Sequence, residues 1–171
     1  ADNLLNFPDF RAHERSFQLL QQVAGRAGRT KKRGKVIIQT YNPYHQILQQ
    51  VSTNSFDEMY KQQMEDRYQF KYPPYYRMIK IVVKERSFQK MDKAAIWLAN
   101  ALKIQLKENV LGPEAPSVGR IRNMFMTNIL VKIPKNQSIT KTKGYLNLIM
   151  RNFNSIKEFS SVRIIIDVDN Y

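Results

Sequence analysis

The densest group of residues that could bind a ligand or take part in catalysis lies between Gln22 and Arg29, in the stretch Gln-Val-Ala-Gly-Arg-Ala-Gly-Arg. Gly25 and Gly28 let the backbone turn tightly, and we expect the preceding helix to end at Gly25. Arg26 and Arg29 are three residues apart, so on a continued helical turn they project in similar directions. Two such guanidinium groups can hold a triphosphate and neutralise charge that develops on its γ-phosphoryl group. The same residues also suit a basic cap at a helix C-terminus, where cations are favoured.

A second candidate is the stretch 115–157, which contains no Asp or Glu. The whole chain of 171 residues has 28 Lys and Arg against 14 Asp and Glu, a formal net charge of +14. A solvated surface of mixed charge accounts poorly for so long a run without a carboxylate, so we interpret it as a surface for a polyanion, with nucleic acid favoured. The candidate DNA-binding residues in it are Arg120, Arg122, Lys132, Lys135, Lys141 and Lys143.

The remaining residue types exclude several kinds of chemistry. The chain has no Cys and two His, His13 and His45, so we predict no disulfide, no thiolate zinc site and no other metal site. Asp167 and Asp169 share one face of the last predicted strand, where an ion pair with the basic surface is favoured over a metal pair. No apolar run reaches the roughly 20 residues of a membrane helix, and no secretion signal opens the chain. We therefore expect a soluble protein with no membrane partner.

The elements that must position these residues lie on either side of Pro73 and Pro74, which we take as a domain boundary. In the first part, the patterns predict a helix from Asp9 to Gly25, a buried strand over 35–41, a short helix opened by Asn42 and Pro43, and a helix that starts with a capping box at Ser55.

The second part alternates between strand and helix patterns. The predicted elements are a strand over 77–85, a helix over 87–109, a short strand from Val110, a strand over 125–133, a helix near 145–156 and a strand over 162–168. The order β-α-β-β-α-β is the split β-α-β order of a ferredoxin-like α+β layer.

Several motifs together resemble one known family. The stretch from Gln22 to Arg29 is similar to motif VI of superfamily 2 helicases, Q-x-x-G-R-x-G-R. The segments FPDFRAHERSFQLL, KVIIQTYNPYH, YPPYYR, VLGPEAPS and IDVDN extend the likeness over nearly the whole chain. Taken together, they resemble the PriA family, the primosomal protein N-prime helicases that restart stalled replication forks.

This resemblance implies an α/β organisation in three parts. Residues 1–54 would be the end of a second RecA-like helicase lobe, residues 55–72 a connecting helix, and residues 73–171 a C-terminal domain that binds DNA and partners. It also implies an ATP-dependent DNA helicase that moves 3′ to 5′ and assembles the primosome at branched replication forks. By this likeness Gln22, Arg26 and Arg29 are catalytic, and Gly25 and Gly28 lie against the nucleotide with the two arginines.

The resemblance also implies the cofactors, partners and cellular location of the full-length protein. Its cofactors would be ATP and Mg²⁺, with zinc held by cysteines between helicase motifs. Its partners would be branched and single-stranded DNA, single-stranded DNA-binding protein and other primosome proteins. Its place would be the bacterial cytoplasm, in association with the nucleoid.

The chain departs from the family pattern in four respects. It has no G-x-x-x-x-G-K-[ST] loop, no acidic Mg²⁺-binding box and no zinc-binding cysteine, so we expect no cofactor to be held by this chain alone. Residues 124–128 also replace an Arg- and Trp-rich stretch that several relatives carry. The alternative interpretation is an autonomous ferredoxin-like nucleic-acid-binding module, in which Gly-Arg-Ala-Gly-Arg serves only as a phosphate-binding loop.

The missing nucleotide-binding parts lead to a first prediction. The purified chain should show no DNA-stimulated ATP hydrolysis, because arginine fingers cannot orient a nucleotide that nothing else holds. Phosphate release with and without single-stranded DNA measures this. Turnover that survives removal of contaminating ATPases would contradict the prediction.

Overall fold

The computed structural model describes residues 1–27 and 34–168, and the chain divides into two compact units, 1–70 and 71–171. Within its described residues, the first unit contains four helices: α1 (Asp2–Leu5), α2 (Ala12–Ala27), α3 (Gln46–Ser52) and α4 (Phe56–Gln69). One buried apolar cluster joins the four, and it consists of Leu5, Phe17, Ile47, Leu48, Val51 and Met59.

Helix α2 differs from its prediction at both ends. It begins at Ala12 rather than Asp9, because Asp9 closes a preceding turn: its carboxylate accepts from the Arg11 N–H at 2.9 Å and its carbonyl from the Ala12 N–H at 2.9 Å. It continues past Gly25 to Ala27, so the predicted end at Gly25 is wrong. A single glycine costs a helix about 1 kcal/mol, which does not by itself end it.

The starts of α3 and α4 depend on polar contacts that the sequence patterns did not predict. Helix α3 begins after His45 rather than at Asn42, because His45 Nδ1 accepts a hydrogen bond from the Ile47 N–H at 3.2 Å. Helix α4 begins after Ser55 as expected, but without the capping box. The Ser55 hydroxyl instead lies 2.7 Å from the hydroxyl of Thr53.

The strand predicted over 35–41 is not formed, and residues 34–41 have no regular secondary structure. Ile37 is 81% exposed and Tyr41 is 99% exposed, so the apolar run is not buried in this unit. A strand needs a neighbour for its backbone hydrogen bonds, and residues 1–27 and 34–70 provide none. The segment is instead tied to α1, where the Asp2 carboxylate accepts from the Thr40 hydroxyl at 2.7 Å.

The second unit is a sheet covered on one face by two helices. Its elements are β1 (Tyr76–Glu85), α5 (Phe88–Leu106), β2 (Val110–Glu114), β3 (Arg120–Ile121), β4 (Met124–Pro134), α6 (Ile139–Ser155) and β5 (Arg163–Val168). The strand order is β2-β4-β1-β5, with β3 paired to the start of β4, and every pair is antiparallel. This confirms the predicted β-α-β-β-α-β arrangement for the four main strands, to which the structure adds the short strand β3 that the sequence patterns did not predict.

Period-two alternation along the central strands builds the core of this unit. Ile81 and Val83 on β1, with Ile129 and Val131 on β4, are fully excluded from solvent on the face that the helices cover. Helix α5 meets that face with small and branched side chains, among them Leu98, which is also fully buried. Among the described helices, none combines the length and apolar character that crossing a membrane requires.

The first unit contains a histidine pair with one partly buried member. The rings of His13 and His45 lie 5.4 Å apart and nearly perpendicular. Burial, and then the proximity of His45, lower the pKa of His13 from its ordinary 6.5, against a smaller opposing effect of Asp66. The folded state therefore favours neutral His13, so its stabilising contribution is complete above about pH 6.5 and is lost as the pH falls below that value.

We predict that the unfolding free energy of the chain falls between pH 7.5 and pH 5.5, and that His13→Gln reduces this fall. Urea unfolding followed by circular dichroism at both pH values measures it. An unchanged pH dependence in His13→Gln would show that other groups cause the loss.

Candidate nucleic-acid interface

The structure separates the basic residues predicted to bind DNA into two groups. Arg120 and Arg122 lie before the start of β4, whereas Lys135, Lys141 and Lys143 lie beyond its end, and all five are exposed. Strand β4 has 11 residues, and at about 3.3 Å per residue the two ends are roughly 33 Å apart. The surface therefore presents two basic sites rather than one continuous patch.

The first group is carried by a tight hairpin between β3 and β4. Ile121 pairs with Met124, which leaves Arg122 and Asn123 as a two-residue loop with φ of 47° and 65°. Positive φ at both positions defines a type I′ turn, which matches the twist of the strands. Asn tolerates this conformation, but it is uncommon for Arg. The turn holds the exposed Arg122 at the tip of the hairpin.

Lys132 was predicted to bind DNA, but the structure buries it. It lies on the sheet face opposite the helices, is 6% exposed, and its Nζ lies 3.7 Å from the ring centroid of Tyr72. Burial, and then the positive charge of Lys71, lower the pKa of Lys132. The ammonium is therefore held within the unit, and Lys132 is not available for direct contact with a phosphate.

The second group surrounds the N-terminus of α6. Ser138 caps this helix by accepting a hydrogen bond from the Lys141 N–H at 3.4 Å, and the Thr142 hydroxyl donates to the Ser138 carbonyl at 3.1 Å. The first turn contains no acidic residue, although carboxylates are favoured at this positive end of the helix dipole. Lys141 occupies the position where a capping box would have Glu or Gln. An anion bound at this end would supply the negative charge that the first turn lacks and would neutralise Lys141.

The motif in the first unit is only partly described. Gln22 and Arg26 are exposed on α2 and lie one helical turn apart, and Gly25 lies between them with open space around it. Gly28 and Arg29 lie outside the described residues. The nucleotide-binding and catalytic roles of this motif therefore remain predictions.

A groove of about 660 Å³ lies beside Gln22 and is lined mainly by α1 and α2. Most of its surface is apolar, with Leu4, Phe7 and Leu19 among its side chains. Of the described residues that line it, the one arginine is Arg15, which is paired with Asp9 at 2.7 Å. Among the described residues, the groove lining therefore does not offer the set of cations that a triphosphate needs.

The described residues contain no group of three or more potential metal ligands. Asp167 lies opposite Lys80 in the register of β5 against β1. Asp169, the other member of the predicted pair, lies outside the described residues.

Comparison of the amino-acid sequence with known proteins identifies the family of this chain. The profile of the primosomal protein N C-terminal domain matches residues 68–171, which include the whole sheet and both basic groups. The chain belongs to the PriA family. It is 35% identical to the replication restart protein PriA of Bacillus subtilis over 100% of the chain, and 38% identical to that of Synechocystis over 99%. A third relative, from Treponema pallidum, is 39% identical over 78% of the chain.

The chain spans about a fifth of the length of these relatives, between 20% and 21%. The family assignment thus covers the C-terminal domain and the α2 segment that precedes it. The relatives are named for replication restart, which confirms the family resemblance seen in the motifs.

The position of Lys141 predicts that a single substitution changes stability and DNA affinity in opposite directions. Lys141→Glu creates a capping box with Ser138 and should stabilise the chain by about 0.5–1 kcal/mol. The same change should weaken binding to duplex DNA, because it replaces a cation with an anion. Thermal unfolding and fluorescence anisotropy measure the two effects.

Arg151→Glu is the matched control, since it makes the same charge change on an exposed position late in α6. It should not raise the unfolding temperature. If Lys141→Glu destabilises the chain, or leaves DNA binding unchanged, the α6 N-terminus is not an anion site.

Proposed function

We propose that this chain is the C-terminal part of an ATP-dependent 3′ to 5′ DNA helicase that restarts replication at branched forks, and that its second unit binds DNA through phosphates. The observation that carries the proposal is the pair of exposed basic groups at the two ends of β4, within a stretch without carboxylates. Strand β4, whose two ends the groups flank, is roughly 33 Å long, which is close to one turn of B-DNA. The two groups can therefore contact phosphates about one helical turn apart on one face of a duplex.

Such contacts give affinity with little sequence preference. Phosphate contacts position a protein on DNA, whereas side chains that enter a groove specify the sequence. The exposed cations of both groups sit on a hairpin tip, a turn and a helix start. A fork-binding domain needs this property, because stalled forks occur at any sequence.

The first unit supplies the motor part of the proposal. In the intact protein, Gln22, Arg26 and Arg29 would contact ATP bound with Mg²⁺ elsewhere in the helicase, with Gly25 and Gly28 permitting close approach. Single-stranded DNA-binding protein and other primosome proteins are the proposed partners. The autonomous-module alternative is less well supported, because full-length relatives match the chain from the α2 segment to the last strand.

Salt dependence of DNA binding tests the proposal. Anisotropy of a labelled 16-base-pair duplex and of a fork should show affinity that falls with salt, with a slope of about −0.9 per phosphate contact on duplex DNA. Two double variants, Arg120→Ala with Arg122→Ala and Lys141→Ala with Lys143→Ala, should each flatten the slope by about 2. Each should weaken binding to unrelated sequences equally.

The control variant is Lys93→Ala with Lys103→Ala, which removes two exposed cations from α5 outside both groups. Its slope should stay within about 0.5 of the parent value. Salt-insensitive binding would overturn the proposal, as would a control variant that matches the two test variants.

A further inference from the structure

An arginine and two aromatic rings form a continuous stack beside the β3–β4 hairpin. The guanidinium of Arg120 lies over the ring of Phe125, with 4.8 Å from its central carbon to the ring centroid. The same guanidinium donates a hydrogen bond to the Asn123 side-chain oxygen, which fixes its orientation. Phe125 meets Phe88 edge to face, with centroids 5.6 Å apart and an interplanar angle of 75°.

The outer member of this stack is not part of the core. Phe88 is the first residue of α5 and is 56% exposed, whereas Phe125 packs against the buried cluster of the sheet. Exposure of a phenyl ring costs free energy in water. Its edge-to-face contact with the half-buried Phe125, which Arg120 in turn covers, keeps Phe88 in place, so little entropy is lost when a planar ligand binds.

The electrostatics of the stack favour an anionic ligand. Arg120 and the hairpin-tip Arg122 lie in the stretch without carboxylates. The acidic residue nearest in register to Phe125 is Glu85, which is 6% exposed and accepts a hydrogen bond from the Arg86 N–H at 2.7 Å. Its carboxylate is therefore held within the protein and does not occupy the surface on which a ligand would lie.

We infer that Phe88 and Arg120 form a stacking site for an unpaired nucleobase, with Arg122 against an adjacent phosphate. The inference rests on the proposed function and adds to it the single-stranded part of a branched DNA as ligand. Bases inside a duplex are covered by their neighbours, whereas an unpaired base offers a free face to an aromatic ring or a guanidinium plane. Stacking of this kind is tolerant of sequence.

The test compares two strands that have the same charge. One is a fluorescein-labelled dT8 oligonucleotide, and the other carries abasic sites at its four central positions. The parent chain should bind dT8 about tenfold more tightly than the abasic strand. Phe88→Ala should remove most of this difference by weakening dT8 binding, while affinity for the abasic strand stays within twofold of the parent value.

Two further variants separate stacking from charge and from general surface effects. Arg120→Lys keeps the positive charge but lacks the planar group, so it should lose most of the preference for dT8. Ile104→Ala removes an apolar side chain of α5 that is 75% exposed and lies away from the stack, and it should retain the full preference.

The outcomes distinguish this inference from the proposed function. If neither strand binds, DNA binding by the chain fails and the stacking site fails with it. If both strands bind equally in a salt-dependent manner, DNA binding stands and the stacking site is overturned. The inference is also overturned if a poly-Glu peptide binds in a Phe88-dependent manner while the two strands bind equally, since the site would then take an acidic protein segment.

Discussion

The antiparallel pairing of β1 with β4 is the interaction on which the second unit depends. It runs in unbroken register from Tyr76 opposite Pro134 to Glu85 opposite Phe125. Because side chains alternate between faces, this register decides that Ile81 and Ile129 face the helices together. A shift by one residue would turn the side chains of one strand toward the other face, so that Ile81 and Ile129 no longer faced the helices together and polar side chains of the shifted strand were buried instead. The same pairing fixes the two ends of β4, and with them the separation of the two basic groups.

Regular alternation made this sheet predictable from the sequence. The apolar side chains of β1 and β4 recur at every second residue, and the stripe on α5 recurs at helical spacing, so element types followed from local pattern alone. The run over 35–41 is equally apolar but formed no strand, because pairing depends on a neighbour that local pattern does not reveal. The cap by His45 was missed for a different reason: a histidine accepts a hydrogen bond at a helix start only in one protonation and orientation.

The candidate site was predictable in composition but not in geometry. The absence of carboxylates over 115–157 singled out five cations that are exposed in the structure, yet charge counting could not show that Lys132 is buried against Tyr72. Nor could it show the stack of Arg120, Phe125 and Phe88, whose members are distant in sequence or differ in type. The sequence did contain two residues that depart from local preference at these sites. One is a lysine where a helix start favours glutamate, and the other is an arginine in a turn that favours Asn or Gly. Such departures concentrate at functional sites.

The strand order also has a consequence for how the domain is made. Strand β1 lies between β4 and β5, so the first strand to be synthesised has the last one as its neighbour. While a ribosome is still making the intervening helices, one side of β1 exposes unpaired backbone groups next to Ile79 and Ile81. The nascent chain is therefore open to wrong pairing with other chains until Arg163–Val168 has emerged from the exit tunnel. Slow translation near the end of the domain would prolong that exposure, and fast release would shorten it.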